Sequence, residues 1–180
     1  MKSYDFTRYN RIMIIGCMGS GKSWLSKRVA EITAHPLYHL DVEHWQPGWV
    51  KHSREEQIAR QKQIIRGEKW IIDGTWGRTM EIRYKSADLV IFLEINRLVC
   101  MWSAARRTGK KRSDLPEYLE ERGVFSREFF QFCKWIWVFP RDNKGRITAL
   151  REKYPHIDFL HIKSRREVNK LVSQQSTRTP

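Results

Sequence analysis

A chain of 180 residues is long enough to bury one substantial core and short for two. Hydrophobic residues at 41% and charged residues at 30% exclude a disordered chain, and 34 Lys and Arg against 20 Asp and Glu leave a net charge of +14. That surplus favours polyanionic partners (nucleotide phosphates, nucleic acid or an anionic surface) without choosing among them. Three widely spaced cysteines, Cys17, Cys100 and Cys133, suit a reducing compartment better than a disulfide framework. Residues 1–11 are polar, and the apolar runs at 12–15, 89–93 and 129–139 are too short to span a bilayer. The expectation is a soluble cytoplasmic protein with no membrane contact, monomeric or homodimeric.

In chain order, short apolar runs alternate with stretches of helical period, the pattern of a parallel sheet covered by helices. Residues 12–15 read as a buried strand that ends in glycines, and 20–33 as a helix with Leu25, Val29 and Ile32 facing a core. After Pro36, residues 37–40 form a second short strand ending at Asp41, and Pro47-Gly48 marks a turn. Ser53 with Glu56 three residues on predicts a capped helix over 54–66, closed by Gly67. A third strand covers 70–72 and ends at Asp73-Gly74; a short basic helix follows near 79–85. Residues 89–93 are the clearest buried strand, and 97–107 a helix ending in a basic cluster. The charged stretch 106–127 lacks apolar periodicity and reads as an excursion from the core. An aromatic helix over 129–139 is expected to stop at Pro140, with another helix over 141–154 and a last strand over 157–162.

The strongest motif is Gly16-Cys17-Met18-Gly19-Ser20-Gly21-Lys22-Ser23, a complete Walker A sequence between a strand and a helix. At this spacing backbone N–H groups point into one concavity and cradle a β-phosphate, aided by the helix dipole. Lys22 is expected to reach the β- and γ-phosphates and the Ser23 hydroxyl to ligate Mg2+. Gly16, Gly19, Ser20, Gly21, Lys22, Ser23 and Trp24 are thus the expected ATP contacts.

The acceptor must bind at the carboxyl ends of the other strands. Asp41 and Asp73 both lie there, and either can hold a Mg2+ water or accept the proton of an attacking hydroxyl. His39 and His44 near Asp41 lack the spacing of a standard zinc motif and read as packing or substrate hydrogen bonding. Trp45, Trp49 and Trp76 accompany the same segments and suit either a core or a clamp on a planar substrate. Arg78 and Arg83 follow Asp73; Arg97, Arg106, Arg107 and Arg112 follow the fourth strand. Guanidinium groups on a closing segment are what phosphoryl transfer uses to stabilise its spreading charge, which points to 106–127 as a lid with Arg106 and Arg107 at the phosphates.

With these pieces in order, the chain resembles the FlaR-like family of DNA topology modulation proteins, relatives of adenylate kinase. The resemblance rests on the Walker A residues, His39-Leu40-Asp41 with Trp45 and Pro47-Gly48-Trp49, Trp70-Ile71-Ile72-Asp73-Gly74-Thr75-Trp76-Gly77-Arg78-Thr79, Ala87-Asp88-Leu89-Val90-Ile91-Phe92-Leu93 and Trp135-Ile136-Trp137. It implies a three-layer α/β/α P-loop fold of nucleoside-monophosphate-kinase type: five parallel strands and a lid after the fourth. It further implies ATP at the glycine loop, an acceptor-phosphate segment from Asp73 and Gly74 to Arg78, and a base-wrapping loop at Lys163-Ser164-Arg165. Glu94-Ile95-Asn96-Arg97 stands where relatives carry Asp-x-Pro-Arg.

The function expected is a kinase that moves the ATP γ-phosphoryl group to a small-molecule or nucleotide acceptor. Its catalytic candidates are Lys22, Asp41, Asp73, Arg106 and Arg107. Asp41, Trp45, Asp73, Gly74, Arg78 and Arg83 are the acceptor candidates, Ser23 and Asp73 the Mg2+ candidates, and Arg106, Lys163 and Arg165 further nucleotide contacts. The alternative is a nucleotide-dependent, DNA-associated regulator. No helix-turn-helix or other readable DNA motif supports it, so charge is its only sequence evidence, and only weak, non-specific nucleic-acid binding follows from charge.

Overall fold

The computed structural model describes residues 4–43, 45–46, 50–107 and 127–176. At its centre is β1 (Arg11–Gly16), buried along its length beyond Arg11. It pairs in parallel with β5 (Trp70–Asp73) on one side and β6 (Leu89–Leu93) on the other. Outside these lie β2 (Leu37–His39) and β7 (Asp158–Ile162), so the strand order is β2-β5-β1-β6-β7, all parallel. Strands covered by helices on both faces need apolar side chains on both, which is why β1, β5 and β6 read as unbroken hydrophobic runs. The architecture is the expected three-layer α/β/α sandwich around a five-stranded parallel sheet.

The register aligns the functional ends. Asp73 pairs with Ile14 and with His39, while Gly16 pairs with Leu93, and Leu93 with Ile162. The strand order reverses at β1, whose successor in the sequence lies to one side and β6 to the other, so the crevice opens above the glycine loop.

Helix α1 (Lys22–Thr33) follows that loop directly, packing on β1, β2 and β5 and against α7 (Arg165–Ser176). The second strand stops at His39, one residue short of expectation, and Asp41 sits in the single turn α2 (Leu40–Glu43). Two-residue strands β3 (Trp45–Gln46) and β4 (Val50–Lys51) pair antiparallel. Helix α3 (Arg54–Ile64) carries the predicted capping box: Glu56 N–H donates to Ser53 Oγ at 3.2 Å and Ser53 N–H to Glu56 Oε2 at 2.8 Å. It packs on α4 (Met80–Tyr84). Helix α5 (Arg97–Arg107) has the predicted limits.

One expectation fails. Pro140 does not end a helix; α6 runs unbroken from Arg127 to Lys153 with the proline inside. A proline there removes the bond to the carbonyl four residues back, at a cost of about 3 kcal/mol. That carbonyl belongs to fully buried Ile136, and it accepts instead from Cys17 Sγ at 3.8 Å. The glycine loop thus supplies the donor that Pro140 lacks. The expected lid falls between α5 and α6, and residues 108–126, Arg112 among them, lie outside the described residues, as do His44 and Pro47-Gly48-Trp49. No helix among the described residues is long and apolar enough to cross a membrane.

Candidate active site

The glycine loop is folded as a cradle before any ligand enters. Ser20 N–H donates to Cys17 O at 3.2 Å, closing its turn, and Lys22 Nζ donates to the same carbonyl at 3.0 Å. At Gly19, with φ 76°, a Cβ would come within 2.3 Å of Cys100 O, so only glycine lets the loop lie on α5. The Ser20 hydroxyl is buried and has no partner among the described residues.

The segment after β5 locks this cradle from the neighbouring strand. Thr75 Oγ1 accepts from Gly16 N–H at 2.9 Å and donates to Gly16 O at 2.7 Å, satisfying both backbone groups of the loop's first residue. Gly74 has φ 138°, and a Cβ there would lie 2.8 Å from Leu40 Cβ. Arg83, fully buried on α4, donates to Gly74 O at 2.7 Å, Thr75 O at 2.8 Å and Trp76 O at 3.4 Å. Burial pulls its pKa down to about 9, still well above neutrality, so it binds these carbonyls as a cation.

Two contacts tie the end of β5 to the end of β2. His39 Nδ1 donates to Asp73 Oδ2 at 3.0 Å, and Trp76 Nε1 donates to Asp41 Oδ1 at 3.3 Å. Trp76 holds a positive φ of 35°, a strained setting for an aromatic residue. Asp73 is 5% exposed, yet its Oδ1 has no partner among the described residues. A buried carboxylate oxygen beside a phosphate cradle fits a cation or a donor hydroxyl. No group of three or more metal-ligating side chains occurs among the described residues, and His39 is engaged with Asp73.

Solved structures share the fold. Shikimate kinase from Acinetobacter baumannii, in complex with shikimate, superposes with a TM-score of 0.57 at 14% identity, covering 97% of this chain and 98% of that one. The fold is that of the small P-loop kinases. Shikimate kinase from Bacteroides thetaiotaomicron (TM-score 0.53, 17% identity, 94% and 97% covered) has it too. So does a gluconokinase from Sinorhizobium meliloti (TM-score 0.53, 12% identity, 92% and 89% covered). No family model matches the chain, and no curated protein does. Neither result supports the resemblance to the FlaR-like family of DNA topology modulation proteins.

Within this P-loop kinase fold the predicted residues divide. Gly16, Gly19, Ser20, Gly21, Lys22 and Ser23 form one loop and helix start, and Asp73, Gly74 and Asp41 gather beside it. Arg165 joins them, its Nη2 reaching Gly19 O at 3.4 Å and the Ser103 hydroxyl on α5. Lys163 is exposed, and its N–H donates to Glu167 Oε2. Arg83, expected at an acceptor, is corrected: its guanidinium is spent on backbone carbonyls and has no exposed surface. Arg106, expected over the phosphates, lies 4.6 Å from the Trp102 ring centroid at the surface of α5. Arg78 is exposed, and Trp24 is half-exposed with Arg28 over its ring. The side chains of Trp45 and Arg107 lie outside the described residues.

Sequence reasoning misses Thr75 as a clamp on Gly16, and it reads His39 as packing or substrate hydrogen bonding where the structure makes it the partner of Asp73. Alternation along β2 assigns His39 a face of the sheet, but only the strand order and register put Asp73 beside it.

Proposed function

We propose that this protein is a MgATP-dependent kinase whose acceptor is a small molecule. The observation that carries the reading is Asp73: a buried carboxylate with one oxygen fixed by His39 and the other unpartnered, one strand from a complete phosphate cradle. In this reading the loop N–H groups and Lys22 hold the β- and γ-phosphates, Lys22 leaving the Cys17 carbonyl to do so. Ser23 and Asp73 are the cation candidates, with Asp73 or Asp41 taking the acceptor proton. MgATP, when bound, supplies the transferable phosphoryl group and the metal charge that offsets its oxygens. Arg83 and Thr75 keep the segment from Gly74 to Trp76 in register with Gly16. Arg106 and Arg107 are the arms nearest a lid, and Lys163 and Arg165 border the nucleotide's base end.

The acceptor panel follows from the fold's neighbours. They include shikimate kinases, a gluconokinase and a sugar kinase, so hydroxy acids and sugars belong beside nucleosides and nucleoside monophosphates. ATP consumption measured against that panel tests the reading, and acceptor-dependent turnover is expected from one class. A DNA-associated regulator, favoured by the charge of +14, predicts instead that duplex DNA and no small acceptor alters turnover.

A further inference from the structure

The outer surface is uneven in a way that kinase chemistry does not use. Of the seven large hydrophobic side chains exposed among the described residues, six lie on α5 and α6: Leu98, Val99, Trp102, Phe130, Trp135 and Trp137. Exposed apolar residues are ordinary when scattered; gathered on two neighbouring helices they mark a contact surface. The two helices pack on each other, and each gives the core its opposite side, Cys100 and Ala104 from α5, Ile136 and Phe139 from α6. On α5 the helical repeat sets Leu98, Trp102 and Arg106 in one row. On α6 it sets Phe130, Lys134, Trp137 and Arg141 in another, and every one of these side chains is exposed. The Arg97 guanidinium of α5, 3.9 Å from the Trp137 ring centroid of α6, bridges the two rows.

The charge on this surface has one sign. Residues 97–107 carry Arg97, Arg106 and Arg107 with no Asp or Glu, and residues 129–141 carry Lys134 and Arg141, again with none. Asp142, next in the chain, pairs with Arg141 at 3.0 Å. A second copy of the chain would set these cations against one another. A nucleic-acid strand would match the charge, but it gains nothing from burying Leu98, at 62% exposure, or Val99, and a guanidinium already covers a face of Trp102 and of Trp137. An anionic bilayer matches both components. Tryptophan settles at headgroup level, Leu and Phe enter the acyl boundary, and arginine stems lie along apolar surface with their charge at the lipid anions.

We propose that the outer face of α5 and α6 docks this protein on an anionic lipid bilayer. Leu98, Trp102, Phe130 and Trp137 enter the boundary, while Arg97, Arg106 and Lys134 meet the headgroup anions. The contact is peripheral, with both helices lying along the interface. The expectation of no membrane contact rested on the lack of a run long enough to span, and an interfacial face needs none. The proposal rests on this surface alone and stands apart from the kinase reading.

The test is sedimentation of the full chain with sucrose-loaded vesicles, made of phosphatidylcholine alone or with about one-third phosphatidylserine. Binding is expected to the mixed vesicles, about tenfold weaker or worse to phosphatidylcholine, and it should fall as salt rises from about 0.1 M to about 1 M. The double variant Leu98→Gln/Phe130→Gln keeps every charge. It is expected to bind mixed vesicles about tenfold more weakly or worse, at the parent melting temperature, since both side chains are exposed. If that variant does not fold, the parent decides: lipids brominated in their acyl chains should quench its tryptophan emission, and emission left unquenched overturns the proposal. Failure to bind mixed vesicles, or equal binding by the parent and the folded variant, overturns it too. So does a single-stranded oligonucleotide complex, or self-association in sedimentation velocity, that the variant abolishes while vesicles stay unbound; the face then takes a polynucleotide or a second copy.

Discussion

The two sides of the glycine loop are held in opposite ways. Toward β5, the loop meets backbone-directed hydrogen bonds from buried groups: Thr75 on Gly16, and Arg83 on the carbonyls of Gly74, Thr75 and Trp76. Toward α5 and α6, the cations rest on aromatic rings at the surface. Arg97 lies 3.9 Å from the Trp137 centroid and Arg106 4.6 Å from that of Trp102, with both rings more than half exposed. Exposed contacts of this kind contribute about 0.5–1 kcal/mol, little enough for a phosphate to draw the arginine away. One side is built to stay in place while charge moves, and the other holds its cations loosely enough to be recruited.

The difference is broken most severely at Asp73. Asp73→Asn keeps the shape but removes the carboxylate that the kinase reading makes proton acceptor or cation ligand, and phosphoryl transfer is expected to fall by about 10²–10⁴. Lys22→Ala should weaken MgATP binding by about a hundredfold, the scale of one charge-assisted hydrogen bond lost, in a chain that still unfolds at its parent temperature. Unchanged affinity by calorimetry would remove Lys22 from the phosphate site. Thr75→Val leaves both backbone groups of Gly16 unpaired, so stability should drop by about 1–3 kcal/mol in urea titration, with nucleotide affinity lowered alongside. Loss of affinity without loss of stability would mean that Thr75 touches the ligand directly. Arg106→Ala sharpens the other side: the fold and its stability stay within about 0.5 kcal/mol, while turnover changes if the arginine leaves Trp102 for the phosphates. Turnover equal to the parent would leave Arg106 a surface residue.

Much of this was legible in sequence because it was local. The Walker A spacing, the apolar runs of β1, β5 and β6, the capping box at Ser53 and the limits of α5 each depend on residues near one another in the chain. What escaped depends on partners far apart. Pro140 reads as a helix end until Cys17, 119 residues from Ile136, is found donating to the orphaned carbonyl. Arg83 reads as an acceptor arginine because its spacing after Asp73 says nothing of burial, and its carbonyl partners become visible only in the folded turn. His39 needed the sheet order to meet Asp73, and Arg106 needed Trp102, one helical turn back, to be seen as a cation held elsewhere.

The most direct test follows phosphorus itself. With MgATP and the acceptor panel, 31P NMR of the parent protein should show the γ-phosphoryl signal passing to one class of small acceptor, and Asp73→Asn should slow that transfer while calorimetry finds its MgATP affinity within about tenfold of the parent. Transfer at the parent rate in Asp73→Asn, or γ-phosphate appearing only as inorganic phosphate whatever acceptor is added, would contradict a kinase built around Asp73.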